Sequence, residues 1–132
     1  MLDSAVECLM TKKVIRVAPD CPVADVLNKL QAYRISCVVV CEDDIPIGVI
    51  SERDIVGFAF KHISGKGTPA RSAKGLMSSS VVTVRTFDSL DAAFELIEEH
   101  HIRHLPVVDS DGRLVGLLTQ TDLLRARIEQ MA

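Results

Sequence analysis

Two short motifs in this sequence place a hydroxyl group three residues before a carboxylate: Ser51 before Asp54, and Thr119 before Asp122. Each motif follows an apolar segment typical of a β-strand and precedes the apolar spacing of a helix. The N-terminus of a helix attracts anions, and a carboxylate can accept hydrogen bonds from two neighbouring hydroxyl groups. The same pattern is the capping box that begins many ordinary helices. One copy would favour a purely structural role, whereas two copies keep a ligand site open as the alternative.

Enzymatic chemistry has little support in the other residues. The sequence contains no Gly-x-Ser-x-Gly motif, no P-loop and no paired carboxylates outside predicted caps and turns. His100, His101 and His104 lie at a predicted helix end and strand start, a spacing that does not bring three imidazoles onto one metal ion. The four cysteines form no Cys-x-x-Cys pair, which predicts reduced thiols. We therefore expect no catalytic residues, no metal site and no obligatory cofactor.

The two motifs belong to a duplicated stretch of the chain. Residues 35–56 and 102–124 each contain two apolar strands around a turn, followed by a helix start. Gly48 and Gly116 are separated by 68 residues, as are the carboxylates of the two motifs. The dipeptide Asp111-Gly112 marks the hairpin turn of the second copy. Two copies in so short a chain usually pack on each other.

Apolar spacing predicts the elements that position the motifs. A short helix is expected over residues 3–10 and a short strand over 14–17, with a matching strand over 81–84. Each strand precedes an amphipathic helix with apolar residues at the i, i+3, i+4 and i+7 positions of one face: Val23, Val26, Leu27 and Leu30, then Leu90, Ala93, Phe94 and Ile97. The order strand, helix, strand, strand, helix predicts an α/β fold of mixed, α+β type with two repeats. The helix after the first motif is expected to end near Phe60.

The expected domain organisation is a first repeat over residues 1–62, an exposed connector over 63–75 and a second repeat over 76–132. The connector is rich in Gly, Ser, Lys and Pro. With 132 residues, the chain has the length of one compact domain that two half-units can share.

Composition and charge exclude several classes of partner. The net charge of −3 and the pI near 5.8 argue against a nucleic-acid surface, which normally carries a basic face. No apolar run approaches the 18 or so residues that span a membrane, and the N-terminus lacks the pattern of a secretory signal. We therefore expect a soluble, cytoplasmic protein.

The duplicated segments resemble a tandem pair of cystathionine-β-synthase (CBS) domains, also called a Bateman module. The resemblance rests on LMTKKVIRVAPDCPVADVL, ISCVVV and IPIGVISERDIV in the first copy, and on LMSSSVVTV and IRHLPVVDSDGRLVGLLTQTDLL in the second. It covers nearly the whole chain apart from the connector. It implies a standalone regulatory module whose pseudo-symmetric β-α-β-β-α repeats pack through their sheets.

The resemblance also implies a ligand and an output. Related pairs commonly bind AMP, ADP, ATP or S-adenosylmethionine in two clefts between the repeats, with the adenine against aliphatic side chains and the ribose hydroxyl groups on a carboxylate. Occupancy of the clefts is then transmitted to a partner protein, and the module is expected to be a homodimer. The alternatives are a ligand-free dimerisation or scaffold module, or an adapter that acts by contact alone.

Matching the family pattern position by position assigns two sets of ligand contacts. The first cleft would use residues of the Met10 to Ile15 segment and of the first motif: Ile15, Ile35, Ser36, Ser51, Arg53 and Asp54. The second would use the Met77 to Val82 segment and the second motif: Met77, Ser78, Val82, Ile102, Arg103, His104, Thr119, Thr121 and Asp122. Phosphate contacts are expected from the basic side chains Arg53, Arg103 and His104.

The first copy departs from the family pattern. It has Val38-Val39-Val40 where the second copy has Leu105-Pro106-Val107, and Cys21 where a helix-capping residue is expected. Ser36 and Cys37 replace the basic pair Arg103 and His104. The two clefts are therefore expected to be unequal, with the one that contains Asp122 as the stronger anion site.

Overall fold

The described residues, 5–131 of this computed structural model, form two groups of elements in the same order. The first group is β1 (Arg16–Val17), α1 (Val23–Tyr33), β2 (Cys37–Glu42), β3 (Ile45–Ser51) and α2 (Glu52–Ser64). A short helix, α3 (Ala73–Leu76), follows in the chain. The second group is β4 (Val84–Arg85), α4 (Leu90–His100), β5 (His104–Val108), β6 (Leu114–Thr119) and α5 (Gln120–Met131). The predicted α/β fold with two repeats is confirmed.

Each repeat contributes a three-stranded sheet of mixed direction. The first strand of each sheet runs parallel to the second, and the second pairs antiparallel with the third. The central strand β2 is buried from Cys37 to Cys41, which explains its unbroken apolar sequence. A register shift recurs after Val40 in β2 and after Val107 in β5. The duplication is thus visible in the pairing of the strands as well as in the sequence.

The hairpins of the two repeats turn with different residues. Asp43 and Asp44 join β2 to β3 with φ angles of 53° and 67°. Positive φ at both central residues is the property of a type I′ turn, whose twist matches that of the strands. In the second hairpin Gly112 has φ 83°, at the turn predicted from the sequence.

The chain divides into two compact units that do not coincide with contiguous stretches of sequence. One unit, called unit A here, combines the described residues up to Val14 with those from Val82 onwards, and the other, unit B, spans Ile15–Val81. In unit A the segment before β1 therefore packs with the second group of elements. In unit B the segment before β4, which includes α3, packs with the first group. Each unit has its own apolar core.

Backbone hydrogen bonds attach these segments to the outer edge of each third strand. In unit A, Thr11 and Leu117 exchange two bonds, each with an N to O distance of 2.9 Å. In unit B, Ser78 and Val49 do the same at 3.0 and 3.4 Å. The two attachments occupy equivalent positions in the duplicated sequence.

A methionine next to each attachment packs onto a strand glycine. A Cβ atom at Gly116 would lie 2.9 Å from Met10 Cγ and would also collide with the sulfur. A Cβ atom at Gly48 would lie 2.8 Å from Met77 Cγ. Both glycines therefore provide space for a close approach, which any other residue would prevent.

Two sequence-based expectations about helices were wrong, and the strand expected over residues 81–84 lies at Val84–Arg85. Residues 3 and 4 of the helix expected over 3–10 lie outside the described residues, and the described part contains only a 3₁₀ turn at Val6–Cys8. The helix expected to end near Phe60 continues to Ser64 and ends where Gly65 adopts φ 68°. Because α2 ends at Ser64 and α3 begins at Ala73, only residues 65–72 of the expected connector are without a helix. Val6 of the 3₁₀ turn is buried, so packing decides the first segment, whereas α2 ends at a local signal, the glycine C-cap with positive φ at Gly65.

No helix among residues 5–131 combines the length and the apolar character that crossing a lipid bilayer requires.

The methionine contact predicts that Gly116→Ala lowers the free energy of unfolding by about 1–3 kcal/mol, because overpacking forces Met10 out of its position. Urea unfolding measures the change. Gly57→Ala is the matched control, since Gly57 lies inside α2 and no atom is within 4 Å of its added Cβ. The control should gain up to about 1 kcal/mol from helix propensity. An unchanged stability of Gly116→Ala would contradict the packing role.

Candidate functional site

Both hydroxyl and carboxylate motifs form hydrogen bonds at the start of a helix, as the capping interpretation predicted. In unit B the Asp54 carboxylate accepts two bonds through Oδ2, from the Ser51 N–H at 2.8 Å and the Ser51 hydroxyl at 3.2 Å. In unit A the exchange is reciprocal: Asp122 Oδ2 accepts from the Thr119 N–H at 3.3 Å, and the Asp122 N–H donates to Thr119 Oγ1 at 3.1 Å. These bonds fix the orientation of each carboxylate at a helix N-terminus.

The second oxygen of each carboxylate remains available. Oδ1 of Asp54 and Oδ1 of Asp122 accept no hydrogen bond from any residue within 5–131. Both aspartates are half-buried, so a molecule in solvent can reach them. Each motif therefore combines a capping bond with one free acceptor beside the N–H groups of a helix start, an arrangement that can accept a hydroxyl group.

Strand register brings the beginning of each second strand beside its motif. In unit B, Cys37 lies opposite Ser51, and the Glu52 N–H donates to the Ser36 carbonyl at 3.2 Å. In unit A, His104 lies opposite Thr119. There the Gln120 N–H donates to the Arg103 carbonyl at 2.9 Å. The two units therefore build the same sheet end from different side chains.

The segment before each first strand reaches the same sheet end. The Val39 N–H donates to the Ile15 carbonyl at 3.2 Å, which places Ile15 beside the first half of β2. Ile15 and Ile35 are half-buried against the core of unit B. Val82 and Ile102 occupy the equivalent places in unit A. Apolar side chains thus lie at the same sheet end as the polar motif in each unit.

The predicted contacts separate into two groups by unit. Unit B brings together six of them: Ile15, Ile35, Ser36, Ser51, Arg53 and Asp54. Unit A brings together seven: Val82, Ile102, Arg103, His104, Thr119, Thr121 and Asp122. Met77 and Ser78, expected to serve the same cleft as Asp122, belong to unit B, where they lie along β3, and their contact with a ligand stays a prediction.

Sequence reasoning did not identify the role of the methionine segments. The strand pairing of Thr11 and Ser78, and the fit of each methionine on a glycine, only become apparent in the fold. The signal was nevertheless present, because a Leu-Met pair precedes both first strands and a glycine occupies the same place in β3 and β6.

The four cysteines, all within residues 5–131, form no disulfide, and two of them, Cys37 and Cys41, are buried in β2. Burial raises the pKa of the Cys37 thiol from its usual 9.0 to about 12. Burial also raises the pKa values of Cys41 and Cys21, and the carboxylate of Asp25 adds to the rise at Cys21. A protonated thiol is a poor nucleophile, so Cys37 offers the sheet end of unit B an apolar surface. Within residues 5–131, no group of three His, Cys, Asp or Glu side chains is placed to hold a metal ion.

The duplicated unit, a three-stranded sheet with an acidic capping box at the start of its last helix, places the chain among paired CBS-type modules. The family model for the CBS domain matches residues 6–61 and 73–129. The chain belongs to the CBS domain family and carries two copies of the domain.

Known proteins share this arrangement to different extents. The chain is 36% identical over 116 residues to an uncharacterised protein of Methanopyrus kandleri, covering 86% of this chain and 58% of that protein. It is 32% identical over 120 residues to inosine-5'-monophosphate dehydrogenase of Methanocaldococcus jannaschii, covering 90% of this chain and 23% of the enzyme. The chain therefore spans less than two thirds of the length of either relative.

A solved structure is similar over almost its whole length. The crystal structure of CBSX2 in complex with AMP matches with a TM-score of 0.81 and 28% identity, covering 97% of this chain and 98% of that one. CBSX2 comes from Arabidopsis thaliana.

The raised pKa of Cys37 predicts a loss of stability in alkali. The unfolded thiol ionises near pH 9, whereas the folded thiol keeps its proton up to about pH 12, so ionisation favours the unfolded state between these values. The free energy of unfolding should fall by up to about 1.4 kcal/mol per pH unit from this group above pH 9. Urea unfolding from pH 8 to 10.5 measures it, and Cys37→Ala should show a shallower decline. An identical slope in both proteins would contradict the burial of the thiol.

Proposed function

We propose that this chain is a regulatory module that binds an adenosine-containing ligand, such as AMP, ADP, ATP or S-adenosylmethionine, and transmits occupancy to a partner protein. The observation that carries the proposal is the free Oδ1 of Asp54 and of Asp122 beside a helix N-terminus. In this proposal a carboxylate accepts hydrogen bonds from the ribose hydroxyl groups. The neighbouring aliphatic residues, Ile15 with Ile35 and Val82 with Ile102, contact the adenine.

The comparison with CBSX2 supports the choice of ligand class. That protein was crystallised with AMP, and its likeness to this chain extends over 97% of the residues at 28% identity. The adenosine part is common to all four candidate ligands, so the comparison supports the class and leaves the substituent at the 5′ position to experiment.

The charges of the two units support unequal sites. Arg103 and His104 begin β5 beside the motif of unit A, where Ser36 and Cys37 stand in unit B. Arg103 is exposed and can reach an anion from solvent. Unit B has Arg53 in its motif, but the acidic Glu52 stands beside it where unit A has Gln120, so a phosphate group gains more attraction in unit A than in unit B.

Exposed apolar residues on two helices support a homodimer in the same proposal. Three residues at i, i+4 and i+7 spacing form one stripe on each helix: Val56, Phe60 and Ile63 on α2, and Leu124, Ile128 and Met131 on α5. Between 43% and 85% of each residue is exposed. All three pairs are related by the same offset of 68 residues. Duplicated apolar stripes suit a second copy of the chain, which presents the same surfaces in return.

The output of the proposed module is signal transduction to an effector protein in the cytoplasm. The features of the described residues that support this proposal, two free carboxylate oxygens beside apolar side chains, suit binding, and binding rather than catalysis is the proposed action. A ligand-free dimerisation module is the second candidate, because the exposed stripes of α2 and α5 would serve it equally well.

Nucleotide titration tests the ligand and the inequality of the sites. We expect AMP to bind the wild-type chain in calorimetry and to raise its melting temperature. Asp122→Asn should weaken the tighter binding event by about ten- to a hundredfold, equivalent to about 1.5–3 kcal/mol, because it removes a charged acceptor. Asparagine keeps the shape of the side chain and part of its capping ability, which limits the loss of stability.

Asp54→Asn is the matched variant in unit B and should affect the tighter event less. Absence of heat and of a melting shift with AMP, ATP and S-adenosylmethionine at millimolar concentration would favour the ligand-free module. If Asp54→Asn abolished the tighter event while Asp122→Asn left it intact, the proposed order of the sites would be reversed.

Sedimentation velocity tests the homodimer. We expect a species of twice the 14.4 kDa chain mass at tens of micromolar. Phe60→Lys and Ile128→Lys each place a charge in one stripe and should shift the protein towards the monomer. Tyr33→Lys is the control, since Tyr33 is a comparably exposed large residue at the end of α1 and outside both stripes. A wild-type chain that sediments only as a monomer would rule out the dimer.

A further inference from the structure

The last helices of the two repeats, α2 and α5, are held by different interactions. In unit A the Arg127 guanidinium lies 4.7 Å from the ring centroid of Phe94, and it pairs with the Asp91 carboxylate at 3.3 Å. Leu123 of α5 is also buried in the core of unit A. α5 is therefore tied to α4 by a cation–π contact and an ion pair, in addition to apolar packing.

Among the described residues, α2 forms neither a cation–π contact nor an ion pair, and its apolar packing is limited to Ile55 and Phe58, which are half-buried against the core of unit B. At an offset of 68 residues, Ala59 stands in the place of Arg127 and the half-buried Ile55 in the place of Leu123. On α1, at an offset of 67 residues, Leu27 and Ala24 replace the aromatic ring and the carboxylate. These side chains can form neither a cation–π contact nor an ion pair. None of the residues of α2 is buried.

The sequence of α2 also disfavours a helix. Gly57 lies inside the helix, where glycine is among the least favourable residues. No atom lies within 4 Å of a Cβ built at this position, so packing does not require the glycine. The matching residue of α5 is Arg125, a good helix former.

The strongest polar interaction at α2 is therefore its capping box. Asp54 holds the N–H and the hydroxyl of Ser51 at 2.8 and 3.2 Å, and the same carboxylate carries the free Oδ1 of the proposed ligand site. A ligand hydroxyl bound to Oδ1 restricts the rotation of the carboxylate and holds Oδ2 in the capping position. Ligand binding and helix capping are thus coupled through one side chain.

We propose that α2 is the ligand-responsive element of this chain: it opens readily in the free protein, and occupancy of the Ser51–Asp54 site orders it, while α5 stays ordered. The response rests on the proposed function, because it requires a ligand at Asp54. Ordering of α2 aligns Val56, Phe60 and Ile63 into one stripe, so that occupancy changes the surface offered to a second chain. The lower stability of α2 relative to α5 is a property of the free chain and can be measured without any ligand.

Hydrogen exchange followed by mass spectrometry tests, on the full chain, both the lower stability of α2 and its ordering by a ligand. The protein is studied at a concentration where sedimentation shows one species, so that both helices are compared in the same assembly. In the free protein, the amides of residues 56–60 should exchange at least fivefold faster than those of 124–128. Gly57→Ala should slow exchange in α2 by about fivefold, as expected from helix propensity.

The capping variants provide a matched pair. Asp54→Asn should accelerate exchange in α2 at least fivefold, whereas Asp122→Asn should change α5 less than twofold, because Arg127 still ties that helix to α4. Saturating AMP should slow exchange in α2 of the wild-type chain at least fivefold and leave α5 within twofold.

Each result supports or overturns either the lower stability of α2 or its response to a ligand. Equal exchange of α2 and α5 in the free protein would overturn the proposal whatever AMP does. If AMP binds by calorimetry but leaves exchange in α2 unchanged, the ligand response is overturned while the proposed function stands. If no adenine compound binds, the proposed function and the ligand response both fail, and the comparison in the free protein still decides whether α2 is the less stable helix.

Discussion

Both units depend on a backbone partner for the outer edge of their third strand, which is β6 in unit A and β3 in unit B. A strand edge without a partner leaves backbone N–H and C=O groups unsatisfied, which is costly where the strand packs into a core. Thr11 covers the edge of β6 and Ser78 covers the edge of β3, and in each case a methionine fills the space above a glycine. Unit A therefore depends on the segment before β1, and unit B depends on the segment before β4. The chain passes from one unit to the other beside Ile15 and Val82, two residues assigned to the proposed ligand sites.

Helix capping and the proposed binding rely on the same carboxylates. Asp54 and Asp122 each use Oδ2 to begin a helix and keep Oδ1 available. A cap contributes about 0.5–2 kcal/mol to stability, which is similar in size to the interaction expected with a ligand hydroxyl. Any substitution at these positions therefore changes stability and affinity together. Urea unfolding measures the change in stability and calorimetry the change in affinity, so the two effects are separated for each variant by measuring both.

Duplication has preserved the backbone of the two units while their side chains have diverged. The strand pairings, the register shifts and the methionine contacts recur at equivalent positions. The differences concern Arg103 and His104 at the sheet end, and the Arg127 contact that ties α5 to α4. Two units with one architecture can thus differ in affinity for an anion and in the stability of a helix. The inequality of the units follows from charge and packing, which single substitutions alter without disturbing the fold.

The sequence by itself determined the order of elements, the duplication and the capping boxes, because these depend on local periodicity and on contacts three residues apart. The family resemblance assigned Ile15, Ile35 and the two aspartates to ligand clefts; the structure places them at the sheet ends of the two units, and their contact with a ligand stays a prediction. The attachment of Thr11 to β6 and of Ser78 to β3 was decided only by the tertiary structure, since strand pairing between residues 106 or 29 positions apart leaves no periodic signal in the chain. For the same reason, the sequence did not show that Met77 and Ser78 pack along β3 in unit B. The end of α2 had a local signal in Gly65, which adopts φ 68°, but Gly57 weakens the helical pattern before it, so the sequence alone suggested an earlier end.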